Sequence, residues 1–182
     1  MALTATVYSF EVSLADTDRG VYEELKLTLA RHPSESMAWL LTRLIAFCLE
    51  YREGIEFTRG LAEAEDPAIH AHDPTGALTL WVDIGTPRAE RLHRASKRGA
   101  EVAVYVHRDP ESFLAQLVGE HIHRREAVRV RSIPPEFLAA LEPLIGKRTS
   151  LALSVAEGQL YLTVGGVTFE TTPGRHPLGL SP

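Results

Sequence analysis

A chain of 182 residues is long enough to bury one core and too short for two without a visible linker. Hydrophobic residues at 45% and charged residues at 24% exclude a disordered or fibrous chain, and a single cysteine, Cys48, excludes an intrachain disulfide. The net charge of −5 hides an asymmetry: residues 1–86 carry 6 Lys/Arg against 14 Asp/Glu, and residues 87–182 carry 13 against 10, so the halves stand at −8 and +3.

In chain order, Thr6 to Leu14 alternates, with Tyr8, Phe10, Val12 and Leu14 on one face, which predicts a strand. Asp16 to Gly20 turns the chain, and the alternation of Leu25, Leu27 and Leu29 from Val21 to Arg31 predicts an antiparallel partner. Pro33 to Ser36 has helix-start chemistry, and Met37, Leu40, Leu41, Leu44, Ile45 and Cys48 form one apolar stripe at helical spacing, with the thiol buried. Its apolar runs break at polar residues such as Thr42 and Arg43, far short of the roughly 20 residues a membrane span needs. The N-terminus also lacks a basic region followed by an apolar one, so a cytoplasmic, bacterial-type protein with no membrane partner is expected.

Ile55 to Leu61 reads as a strand, Ala62 to Pro67 as an acidic loop, Asp73 to Gly76 as a turn and Leu78 to Gly85 as an apolar strand interrupted by Asp83. Pro87 to Gly99 reads as a helix, Glu101 to His107 as a strand, and the segment opened by Asp109-Pro110 as a helix whose reach includes His121 and His123. Val128 and Val130 mark a strand, and Pro135 opens a helix through Phe137, Leu138 and Leu141. Leu151 to Val155 and Leu160 to Val164 flank Ala156 to Gln159, a hairpin signal, and Gly165-Gly166 leads into Val167 to Thr172. The last ten residues, with three Pro and two Gly, read as frayed. A mixed sheet with helices against it is the economical α/β architecture.

Asp83 carries the strongest chemical signal, because an ionised carboxylate in an apolar strand costs several kcal/mol unless it is paired or bound to a metal. Either it meets an arginine or the backbone at the strand end, or it joins Asp66, about 17 positions earlier, in holding Mg²⁺ through oxygen ligands. Asp73 is the rival second acid, although its turn explains it as well. In the helix after Asp83, Arg91, Arg94, Lys97 and Arg98 fall within one arc opposite Ala89, Leu92, Ser96 and Ala100. That arc suits phosphate binding by Arg91, Arg94 and Lys97, or else is a solvated face. His70 and His72 share a strand face without further zinc ligands at characteristic spacing, and His121 and His123, read as helical, point to different faces. No phosphate loop and no nucleophile elbow is present.

The succession of helix, strands, acidic loop, carboxylate-bearing strand, basic helix and strand resembles the PD-(D/E)XK core. Leu27 to Glu35, Phe57 to Leu61, Leu80 to Pro87 and the helix from Arg91 to Lys97 together resemble the YaeQ family of small bacterial proteins. That resemblance implies a restriction-endonuclease-like α/β roll: one domain over 1–182, a mixed central sheet flanked by helices, and additional N- and C-terminal antiparallel strands. Its parts are an N-terminal hairpin over 4–31, a nuclease-like core over about 33–107, and C-terminal helices and hairpin over 108–172. It implies either a Mg²⁺-dependent nuclease acting on DNA or RNA, or a non-catalytic regulator binding nucleic acid or the transcription machinery. Carried over residue by residue, Glu35 stands for the acid of the first helix, and Asp66 and Asp83 for the metal-binding acids. The motif lysine, expected two positions after Asp83, is replaced by Gly85, which nominates Arg94 or Lys97 as a relocated basic group. Lys97 is preferred for proton chemistry because arginine stays charged.

Overall fold

The computed structural model describes residues 4–58 and 65–179. In chain order the elements are β1 (Thr6–Asp16), β2 (Val21–Arg31), α1 (Met37–Leu49), β3 (Ile55–Phe57), β4 (Ile69–His72), β5 (Leu78–Ile84), α2 (Ala89–Ser96) and β6 (Glu101–Val106). There follow α3 (Pro110–Gln116), β7 (Arg129–Ser132), α4 (Pro135–Leu141), β8 (Arg148–Ala156), β9 (Gln159–Val164), β10 (Val167–Thr171) and β11 (Gly174–Pro177). Among the described residues these make a mixed α/β fold with two mixed sheets and four α-helices. No helix among them is long and apolar enough to cross a membrane.

The elements gather into two compact units, Met1–Tyr51 with Ile133–Pro173, and Arg52–Ser132 with Gly174–Pro182. The first holds a five-stranded sheet in the order β10-β9-β8-β1-β2. Period-two alternation sends Phe10, Val12 and Leu14 to one face of β1, where all three are buried. β2 pairs with β1 antiparallel and β8 pairs with it in parallel, Val12 opposite Leu25 on one side and Leu151 on the other. The Glu157-Gly158 turn between β8 and β9 takes left-handed backbone at both residues, the geometry of a two-residue hairpin. Asp18 holds that turn, accepting from the amides of Glu157 and Gly158 at 2.8 Å each. Ser36 caps α1, its hydroxyl accepting from the Trp39 amide at 3.1 Å, and α4 packs against α1. Cys48 is fully buried there, and burial pushes its thiol up to about 12, so it stays protonated.

The second unit holds a six-stranded sheet in the order β11-β7-β6-β5-β4-β3, in which β5, β6 and β7 run parallel. Their crossovers carry α2 and α3. Trp81, Leu92, Val102, Val104, Phe113, Leu117, Ile122 and Val130 form a buried cluster to which β5, β6, β7, α2 and α3 all contribute.

Three expectations need correction. The chain after Pro173 is not frayed up to Pro177: β11 pairs antiparallel with β7, and Leu178 joins the buried cluster. Buried Arg125 reinforces this by donating its Nε to the Leu178 carbonyl at 3.0 Å. Proline and glycine are tolerated because β11 is a four-residue edge strand. Helix α3 ends at Gln116, so His121 and His123 lie outside any helix. Strand β3 ends at Phe57; Thr58 still donates its amide to the Ala68 carbonyl at 3.3 Å and its hydroxyl to the Pro67 carbonyl at 2.6 Å, and residues 59–64 lie outside the described residues.

Candidate functional site

Strand alternation places Trp81 and Asp83 on the same face of β5, and the turn after β5 returns α2 so that Arg91 reaches them. Asp83 is 4% exposed. Its Oδ1 accepts from Arg91 Nη2 at 2.8 Å, and its Oδ2 accepts from Arg91 Nε at 2.9 Å and from Trp81 Nε1 at 3.0 Å. This is a two-pronged guanidinium–carboxylate fork with an indole donor completing it. The Arg91 guanidinium also lies over the Trp81 ring at 5.4 Å, and that of Arg98 at 5.0 Å. Burial pulls the Arg91 pKa down, but hydrogen bonding and charge from Asp83, with Glu65 and Asp66 behind, outweigh it and hold the value above the ordinary one.

Asp66 enters this site through its backbone. Arg91 Nη2 donates to the Asp66 carbonyl at 2.6 Å, while the residue itself, in the bend before Pro67, is exposed. Asp83 and Asp66 therefore meet at one guanidinium, the first by its carboxylate and the second by its carbonyl. Among the described residues no set of three His, Cys, Asp or Glu side chains is gathered as a metal would require.

Arg94 on α2, and Lys97 and Arg98 just past its end, are exposed, whereas Ala89, Leu92, Ala95 and Ser96 are buried. Arg94 makes a loose ion pair, Nη1 to Glu65 Oε2 at 3.8 Å, between two exposed side chains. Gly85 has φ +97°, a conformation that disfavours any side chain, although a Cβ there would meet nothing nearer than His107 Cε1 at 3.9 Å. The backbone at this position favours glycine, with space beside it. Glu35 belongs to the other compact unit and precedes the cap of α1 instead of lying on the helix. Its Oε2 accepts from the His32 amide at 3.0 Å, its Oε1 is buried with no hydrogen-bond partner among the described residues, and burial raises its carboxyl pKa against the opposing pull of the His32 amide and Arg43.

Asp73 acts as a turn residue, its Oδ1 accepting from the amides of Thr75 and Ala77 at 2.8 and 3.0 Å. His70 and His72 meet edge to face, 4.8 Å between ring centroids, with Glu56 Oε2 at 3.9 Å from His70 Nε2. The sequence reading missed the indole donor to Asp83, although Trp81 two residues earlier on one strand face signals it. It also missed a second histidine group: His93 lies 5.0 Å from His121 and 6.5 Å from His123 between ring centroids. No spacing rule joins residues about 30 positions apart.

Residues 1–173 match the family model described as YaeQ protein. The "Uncharacterized protein YaeQ" of Escherichia coli (strain K12) is 30% identical over 167 residues, 90% of this chain and 91% of that one. The protein of the same name from Salmonella typhi is 29% identical over 168 residues, again 90% and 91%. The crystal structure of YaeQ protein from Xanthomonas axonopodis pv. citri superposes with a TM-score of 0.86 at 30% identity, covering 96% of this chain and 99% of that one. That of YaeQ protein from Pseudomonas syringae gives 0.84 at 27% identity, with 96% and 98% covered. The chain belongs to the YaeQ family.

Proposed function

We propose that this protein is a non-catalytic nucleic-acid-binding regulator built on a restriction-endonuclease-like α/β roll. The observation that carries the reading is the fork between Asp83 and Arg91, in which both carboxylate oxygens already face a cation. A Mg²⁺ ion needs those oxygens, and a guanidinium held at them with a raised pKa neither leaves readily nor gives up a proton. As arranged, these residues do not fit the ion. With no ammonium at Gly85, the exposed charges of Arg94, Lys97 and Arg98 serve to hold phosphates.

Fluorescence anisotropy with a labelled duplex, a single strand and an RNA tests this. Affinity should fall steeply as salt rises, and Arg94→Glu with Lys97→Glu should weaken it at least tenfold and lower the salt slope by about 2. Salt-insensitive or absent binding sinks the reading and turns the search to a protein partner in the transcription machinery.

A second reading has one observation in its favour: Asp66 and Asp83 reach the same guanidinium. It is a Mg²⁺-dependent phosphodiesterase with Asp66 and Asp83 as ligands and Arg94 or Lys97 at the phosphate. Cleavage of plasmid or RNA with Mg²⁺ or Mn²⁺ that vanishes in Asp66→Ala would establish it over the first.

A further inference from the structure

Ile122 is 1% exposed and belongs to the buried cluster, so the non-helical segment around it projects His121 and His123 outward together. Both rings come to rest beside His93 on α2, tilted 48° and 78° to it. The backbone amide of His123 donates to His93 Nδ1 at 3.2 Å. An amide nitrogen can only donate, so Nδ1 carries a lone pair, and the neutral ring carries its proton on Nε2. His93 is therefore fixed as an Nε2–H donor. Glu90, His93, Arg94 and His121 line an open cavity of about 380 Å³.

We propose that His93, with Arg94, Lys97 and His121 around it, forms a binding site for a tetrahedral phosphate oxyanion. The inference rests on the nucleic-acid reading for its biological ligand, but its geometry stands separately. Arg94 lines the cavity with the carboxylate of Glu90, its pair with Glu65 is loose at 3.8 Å, and Lys97 stands one helical turn beyond His93 at the end of α2. Phosphate accepts hydrogen bonds and takes a fixed N–H donor as it stands. Burial and the like charges of Lys97, His121 and His123 lower the pKa of His93, which keeps it the neutral donor at physiological pH. A transition metal is the competing occupant of three imidazoles; His121 stands 5.0 Å from His93, near the roughly 5 Å between rings that tetrahedral ligation gives, but His123 stands 6.5 Å away. Ligation through Nε2 would require moving its proton to Nδ1, losing the bond from the His123 amide, beside two cations. The fixed tautomer therefore favours the anion.

The test uses tag-free protein at pH 7.5 with EDTA, following the His93 side-chain nitrogens by NMR. Inorganic phosphate is titrated in one arm and a short DNA duplex in the other. A saturable shift of the Nε2–H signal is expected, with affinity lowered at least tenfold by His93→Ala and by Lys97→Glu. His93→Gln, which retains an N–H donor, should keep most of it. A shift with inorganic phosphate but none with DNA upholds the site and overturns the nucleic-acid reading. DNA binding indifferent to His93→Ala overturns the site and leaves that reading standing. No saturable response in either arm, or Zn²⁺ bound with loss in His93→Ala once EDTA is omitted and phosphate without effect, overturns the phosphate site.

Discussion

Arg91 does at one position what several residues would otherwise share: it neutralises Asp83, ties down the Asp66 carbonyl and covers the Trp81 ring. Removing it leaves a buried carboxylate with, among the described residues, an indole donor alone. Breaking a buried pair by deleting one partner costs about 3–5 kcal/mol, and the partial exposure of Arg91 places Arg91→Ala near about 3. Arg91→Ala with Asp83→Asn should recover a large part of that loss, because the uncompensated charge goes with the carboxylate. Urea unfolding midpoints of the four proteins in the cycle check this, and additive losses would show that the fork is not the source. The need for a partner at Asp83 was legible from one acid in an apolar strand. The partner's identity was not, because a guanidinium eight positions on and a metal answer the same electrostatic demand. The contact of Asp66 with Arg91 was not legible, since sequence patterns report side chains and here the carbonyl accepts the bond.

Elements with strong periodicity were legible almost to the residue: β1 and β2 through alternation, and α1 through its stripe and the Ser36 cap. Those stabilised by distant partners were not. β11 depends on β7 for its ladder and on Arg125 for an anchor, so its Pro- and Gly-rich composition read as disorder. Leu178, 9% exposed in the buried cluster, is the apolar contribution of that segment. Leu178→Ala should therefore cost about 2 kcal/mol by thermal or urea unfolding. A value within the few tenths typical of an exposed site would mean that the segment packs only weakly. His121 and His123 were misread for a related reason: the helix before them stops, and buried Ile122 sets which way they face.

At the scale of the molecule, the ionisable groups divide by compact unit. His70, His93 and His107 all belong to the second, and each has its pKa lowered, burial being the first cause. Their contribution to stability is complete above the ordinary histidine value of 6.5 and is lost as pH falls from there towards their lowered folded values. Glu35 in the first unit has a raised pKa, so its contribution is complete below 4.5 and is lost as pH rises through the folded value. Amide hydrogen exchange at pH 7.5 and 5.5, corrected for intrinsic rates, should show the six-stranded sheet losing protection on acidification while the five-stranded sheet does not. Equal losses in both, or no change in His107→Gln relative to the parent, would count against this division. The parallel pairing of β1 with β8 also governs how the chain is made. During translation the ribosome releases β1 and β2 long before β8 exists, and at about 5–20 residues per second the delay is on the order of ten seconds. Through that interval the hairpin presents Phe10, Val12 and Leu14 without their eventual neighbour. The nascent chain therefore keeps an apolar strand face without its parallel partner until synthesis has nearly ended.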